Sequence, residues 1–423
     1  MKSYIWTELR NGLRIILVPQ SEGFATTALV LVEAGSEYET KNVNGLSHFL
    51  EHMCFKGTKR RPEPGMISNE LDSLGATSNA FTGQEYTGYW AKAPADKAHK
   101  VLDVVSDLYL NPLFNPSEIE KERGVIIEEI NMYEDTPMRR VHELFSSLLY
   151  GDQPAGWDIA GRKEVIRKLT RQDFVAYRSK HYIAPATTVV VAGHFDPKAT
   201  ASQIRGYFGD LPRRPRVKKS STRELQRKPQ TLVKFKESDQ SHLVLGVRAF
   251  DLFDKRRFAL QVLTDVLGGG MSSRLFQRVR EQLGAAYYIR ASDELLVDHG
   301  FLSISSGVDH TKIDKVVSAI LDEKNRLSRE SVPAKELLKS KEHLIGGFLM
   351  SLETSDELAG FYGMQELLTK KIMTPKEIIE KVRRVTAAEI QKLARTLFVD
   401  QKLNLTVIGP YRETRPFEKI LRF

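Results

Sequence analysis

The two halves of this 423-residue chain run through the same succession of patterns, which commits the fold to a duplication before any single residue is considered. In the first half the apolar run TALVLVE (residues 27–33) leads through a loop into the helical stretch GLSHFLEHMCFKGT, which stops at Gly57. In the second, SHLVLGVRAF (residues 241–250) leads through DLFDKRR into FALQVLTDVLGGG, which stops at Gly268. β-Branched runs closing on glycine end each half, TTVVVAGHF near residue 190 and LNLTVIGP near residue 405. The fold class expected is α+β, with two duplicated domains, each a mainly antiparallel sheet with helices packed on it.

A basic segment separates the copies. Between Pro212 and Gln230 eight lysines and arginines face a lone Glu224, so +7 of the formal +9 charge lies there. With Pro212, Pro215 and Pro229 and few apolar residues, it reads as an extended, solvated linker. No aromatic residue interleaves the charges to stack on a base, so no nucleic-acid partner is expected. The domains expected are residues 1–212, a linker over 213–230, and residues 231–423. Cys54 stands alone, which rules out an intrachain disulfide and fits a reducing compartment. The start of the chain is too polar for a secretory signal, and no stretch approaches the ~18 apolar residues of a membrane span. A cytoplasmic protein with no membrane partner is the expectation.

The chemistry concentrates in the first helical stretch. His48, Glu51 and His52 form H-x-x-E-H, with Leu46, Phe49, Leu50 and Met53 supplying packing faces. Residues four apart on a helix lie one turn from each other, so both imidazoles can reach one zinc ion. Glu51, just beside His52, is placed to act on a water held there. Cys54 lies well around the helix from the histidine pair and reads as core. The second half has Gln261, Thr264 and Asp265 in the corresponding helix, so the metal chemistry belongs to one half only.

A catalytic zinc site needs a third protein ligand and an open fourth position. The segment NPSEIEKERGVIIEEINMYEDTP offers carboxylates on a helix that Asn115 can cap, with Pro116 at its first position and Glu118 closing a capping box. Glu122 and Glu129 are two turns apart on one face, and Glu128 points elsewhere. Residue patterns alone leave Glu122, Glu128 and Glu129 as rivals.

These motifs resemble the inverzincin metallopeptidases, the family of pitrilysin, insulin-degrading enzyme and the mitochondrial processing peptidase. Its pattern is H-x-x-E-H, about seventy residues to a glutamate, and six more to a second; His48, Glu51, His52, Glu122 and Glu129 match it without a gap. The likeness extends to NAFTGQEYTGYWAK, LGGGMSSRLFQRVREQLGAAYYI and the terminal VIGP. The resemblance implies a short two-domain bacterial-type member forming half of a clamshell chamber, with one Zn2+ per chain. It also implies that Glu129 is the third ligand and that Glu122 orients a metal-bound histidine.

By the same resemblance, Arg280 and Tyr287 contact the substrate backbone near the scissile bond. Their residue patterns alone suggest a helix-end cation and a strand residue, with Tyr288 a rival by register. SNAFTGQEYTGYW resembles the family's edge strand, where an extended peptide adds itself to the sheet, so Asn79, Ala80 and Phe81 are expected to line the substrate groove. The function implied is a zinc endopeptidase acting on peptides or unfolded polypeptides, with Glu51 as general base. A processing or peptide-maturation role is the alternative, as is a metal-free scaffold, against which the intact motif speaks. Since the larger relatives enclose their chamber with four such domains, a homodimer with shared sites is expected.

Overall fold

The computed structural model describes residues 4–421; residues 1–3, part of the polar start read above, and residues 422–423 lie outside it. Two compact units share the chain. In the first, strands β1 (Ile5–Glu8), β2 (Arg14–Pro19), β3 (Ala25–Val32), β4 (Thr77–Thr82), β5 (Thr87–Pro94) and β6 (Thr187–Gly193) form one sheet in the order β1-β2-β6-β3-β5-β4. In the second, β7 (Gln230–Phe235), β8 (Ser241–Arg248), β9 (Ala286–Leu295), β10 (Gly300–Val308) and β11 (Leu403–Gly409) are ordered β7-β11-β8-β10-β9. Setting β1 aside, the two orders superpose strand for strand. Each sheet has one parallel pair at the same place, β2 with β6 and β7 with β11, and is antiparallel elsewhere. The duplicated α+β architecture is thus present down to strand order and direction.

Around these sheets the helices include, along the chain, α1 (Leu46–Cys54), α2 (Ala98–Leu110), α3 (Pro116–Asp135), α4 (Pro137–Tyr150) and α5 (Pro197–Phe208). They continue with α6 (Arg257–Gly268), α7 (Ile313–Arg329), α8 (Ala334–Met350), α9 (Ser355–Thr369) and α10 (Ala387–Leu397). The units are not the contiguous halves expected. The first comprises Met1–Asn131, Asp158–Ser220 and Leu349–Thr374; the second comprises Met132–Trp157, Ser221–Phe348 and Pro375–Phe423. Helix α9, from the second half, lays Ala359, Tyr362 and Leu367 on Ile16, Leu29, Leu31 and Val190 of the first sheet. Helix α4, from the first half, lays Val141, Phe145 and Leu149 on Val244 and Ile408 of the second. Amphipathic periodicity states that a helix has a face to bury but not which sheet receives it.

The basic segment is extended and largely exposed, as the linker expected would be, with no helix or strand before β7, yet some of its side chains are tied down. Lys219, only 8% exposed, pairs with the buried carboxylates of Glu37 and Glu85. Arg216 pairs with Glu33 at 2.9 Å, and Thr222 donates to Asp298. Buried acids need counter-charges at hand, and this segment supplies some of them. Among the described residues, no helix is long and apolar enough to cross a membrane.

Packing on the second sheet contains one expensive group. Lys324 of α7 is fully buried, its Nζ has no hydrogen-bond partner and lies 5.2 Å from the centre of the Phe398 ring. Burial disfavours the ammonium and pushes its pKa down from 10.5 to about 7. A depressed lysine makes the folded state bind fewer protons than the unfolded chain, so stability rises with pH between about 7 and 10.5. Lys324→Met removes that cost, and we expect it to stabilise the protein at pH 7 by on the order of 4 kcal/mol. Urea unfolding of both proteins across this pH range checks it; an unchanged midpoint would contradict the burial argument.

Candidate metal centre

Helix α1 begins at Gly45, whose φ of 98° and whose packing leave no room for a side chain, since a Cβ there would meet the Ala160 carbonyl oxygen at 2.6 Å. Its first turn is held by Glu39, a buried carboxylate that accepts from the backbone N–H groups of Gly45 (2.8 Å) and Ser47 (2.6 Å) and from the Asn44 amide. Burial raises the Glu39 pKa to about 7 despite those donors. Nothing in the sequence pattern singled out Glu39, because it reaches the helix from a preceding loop rather than from the capping position. The inward face of α1 carries Leu46, Phe49, Leu50, Met53 and Cys54, all essentially inaccessible. Cys54 is core, as its position around the helix implies; its thiol lies 3.5 Å from the Tyr89 hydroxyl, and burial pushes its pKa to about 12.

On the other face His48 and His52 sit with ring centres 4.8 Å apart, one turn from each other. Helix α3 starts on Pro116 and brings Glu129 to them: its Oε2 is 3.6 Å from the Nε2 of each histidine. The three ligand atoms all lie within 4.8 Å of one another. Tetrahedral zinc with bonds of about 2.0–2.1 Å needs ligand atoms spaced by ~3.4 Å, and both separations from Glu129 lie within a few tenths of an ångström of that spacing. Two neutral imidazoles and one carboxylate are also a donor set that zinc takes in hydrolytic sites with an open fourth position.

Glu122, two turns earlier on α3, holds the other ring nitrogen of His52, with its Oε1 2.9 Å from Nδ1, while Lys56 grips its Oε2 at 2.7 Å. Burial opposes the Glu122 charge, but the bonds from His52 and Lys56 outweigh it and hold the carboxyl below its usual pKa. An ionised Glu122 fixes the His52 proton on Nδ1 and leaves Nε2 as the lone pair facing Glu129. Neither the sequence pattern nor its resemblance pointed to Lys56. Glu128 is exposed and Glu118 pairs with Lys121 instead. Glu122→Gln keeps the shape but loses the charge, and a 10–100-fold weaker zinc affinity is expected, measured by competition with a chromogenic chelator. Wild-type affinity in that variant would show that the carboxylate does not orient the ring.

Glu51 is buried beside this cluster. The Thr82 hydroxyl donates to its Oε2. Burial drives the Glu51 pKa up, Thr82 and His52 oppose that, and Glu129 adds to it; the net shift is upward.

Strand β4 runs along the edge of the first sheet and contributes Asn79, Ala80 and Phe81. Asn79 is exposed, and its Oδ1 accepts from the Ala80 N–H at 2.9 Å. Phe81 departs from the groove-lining role expected of its side chain. Strand alternation turns it away from Ala80 and Thr82 and onto the sheet face covered by α9, where its ring occupies the space a Gly88 Cβ would need. In the second unit, Arg280 lies within the helical turn Phe276–Gln282, its guanidinium 4.9 Å from the Phe276 ring centre. Gly284 ends that turn at φ 51°, and Tyr287, on β9, is 72% exposed. Tyr288 is engaged, its hydroxyl 3.1 Å from the His242 ring nitrogen. Asp265, on the helix corresponding to α1, accepts from His343 at 2.6 Å.

Comparison with known proteins shows matches over most of the chain. Residues 14–163 match the model described as insulinase (peptidase family M16), and residues 168–344 match that of the peptidase M16 inactive domain. The chain is 34% identical to an uncharacterized zinc protease, YmxG, of Bacillus subtilis over 95% of its own length and 97% of that protein. It is 30% identical to an uncharacterized zinc protease, SCO5738, of Streptomyces coelicolor over 96% and 90% of the two chains. Its fold is similar to that of a protease from Helicobacter pylori, with a TM-score of 0.90 at 22% identity over 96% of this chain and 99% of that one.

Proposed function

This chain belongs to the insulinase family of peptidases, family M16, and from that premise we propose that it is a zinc-dependent endopeptidase that hydrolyses peptides or unfolded polypeptides. The observation that carries the reading is the convergence of His48, His52 and Glu129 within 4.8 Å, with the buried Glu51 carboxylate beside them. His48, His52 and Glu129 would hold the ion. When bound, zinc supplies Lewis-acid polarisation and makes water acidic enough, at a pKa of about 7, to lose a proton near neutrality. Glu51 accepts the proton of the attacking water and then delivers it to the leaving amine. Glu122 and Lys56 keep the His52 ring in the tautomer that presents Nε2.

Substrate recognition in this reading is through backbone. The outer edge of β4 pairs with no other strand of the sheet and could take an extended peptide, for which the Ala80 N–H would exchange its bond to the Asn79 side chain for one to the substrate. A folded protein, whose strands are already paired, cannot add itself in this way. Arg280 and Tyr287 would contact the same substrate backbone; the exposure of Tyr287, against the engagement of Tyr288, supports choosing it. Two copies sharing their sites remain our reading of the assembly.

The test is a digest of mixed unfolded peptides by the purified chain. Cutting should fall at least about a hundredfold in chelator and return with added zinc. Equal cutting in chelator would sink the metallopeptidase reading.

A further inference from the structure

Thr82 lies at the end of β4, the edge strand proposed to take the substrate, and its Oγ1 donates to Glu51 Oε2 at 2.5 Å. Among the described residues it is the one hydrogen-bond donor to that carboxylate, and Oε1 has no such partner. Thr82 and Ala80 share the sheet face that packs on α1, whereas Phe81 faces the opposite side. The threonine is thus anchored by strand pairing to Thr87 and, being β-branched, has few rotamers.

We propose that Thr82 is a positioning residue for Glu51: it locks Oε2 in place, so that Oε1 is the oxygen that exchanges protons with water and leaving amine. This rests on the peptidase reading above. Two consequences follow from the geometry. A carboxylate with one oxygen engaged and one open cannot rotate freely about its terminal torsion, so the base meets its proton in a fixed direction. The base is also tied to the strand that receives the peptide, with Asn79 and Ala80 two or three residues from Thr82 on the same short strand. A substrate that orders the β4 edge thereby orders the base, which couples recognition to turnover rather than to affinity.

The experiment uses the full-length, zinc-loaded chain with a quenched-fluorescence peptide, comparing wild type, Thr82→Val and Thr82→Ser. Valine keeps the branched shape without the donor, and serine keeps the donor without the branch. For Thr82→Val we expect kcat to fall roughly a hundredfold, KM to stay within about twofold, and zinc content and unfolding temperature to match wild type. Thr82→Ser should recover most of the turnover. The proposal is overturned if Thr82→Val turns over like wild type, if it loses zinc or folds poorly, or if serine falls as far as valine. A wild-type chain that does not cut removes the peptidase reading and this inference together, whereas a cutting wild type with an unaffected valine variant removes this inference alone.

Discussion

Glu51→Gln is expected to lower kcat by about 10^2–10^4-fold, the range typical of a lost general acid–base group, while leaving bound zinc and peptide affinity close to wild type. Glutamine is nearly isosteric and its amide oxygen can still accept from Thr82. What disappears is the capacity to take up and release a proton. Burial already opposes the charge at this position, so the metal-free variant should unfold at or above the wild-type temperature. Kinetics, zinc analysis and thermal unfolding on one preparation separate these effects. A variant retaining a tenth of wild-type turnover would show that another group moves the proton.

Glu129→Ala should act on a different quantity. Its Oε2 stands 3.6 Å from both Nε2 atoms, and its removal leaves two imidazoles to hold a divalent ion. Zinc affinity is expected to fall by roughly a thousandfold, an order beyond the 10–100-fold typical of an outer hydrogen-bonding partner such as Glu122. At working metal concentrations the variant is then empty and inactive, and excess zinc restores part of its activity. Zinc titration of wild type, Glu129→Ala and Glu128→Ala makes the comparison internal, because Glu128 is exposed on the same helix and should bind as wild type does. Equal zinc affinity in the two variants would mean that the third ligand lies elsewhere.

The parts of this site that could be read in advance are those carried by one element. His48, Glu51 and His52 follow from helical spacing alone, and the duplicated sheets follow from repeated apolar runs. The choice among Glu122, Glu128 and Glu129 did not follow from spacing, because it depends on how far along α3 the helix passes α1; only the family resemblance singled one out. Glu39, Lys56 and Thr82 were missed. Each acts through a contact between segments that no local period encodes: a loop carboxylate on a helix start, a lysine on a carboxylate from α3, a strand hydroxyl on the base. Phe81 was misjudged because the helix that covers its face comes from far along the chain, which the period of β4 does not encode. Lys219 was misjudged because a run of charge says nothing of the buried acids that claim it.

Because α4 rests on the sheet of the second unit and α9 on that of the first, scission at the midpoint of the chain cannot release two self-sufficient pieces. The N-terminal fragment would own His48, His52 and Glu129 yet bare Leu29, Leu31 and Val190 to water, and the C-terminal fragment would bare Val244 and Ile408. The proposed metal ligands, none later than Glu129, therefore depend on a sheet that waits for a helix beginning at Ser355. During synthesis the ribosome must deliver residues as far as Thr369 before the apolar face of the first sheet can be covered.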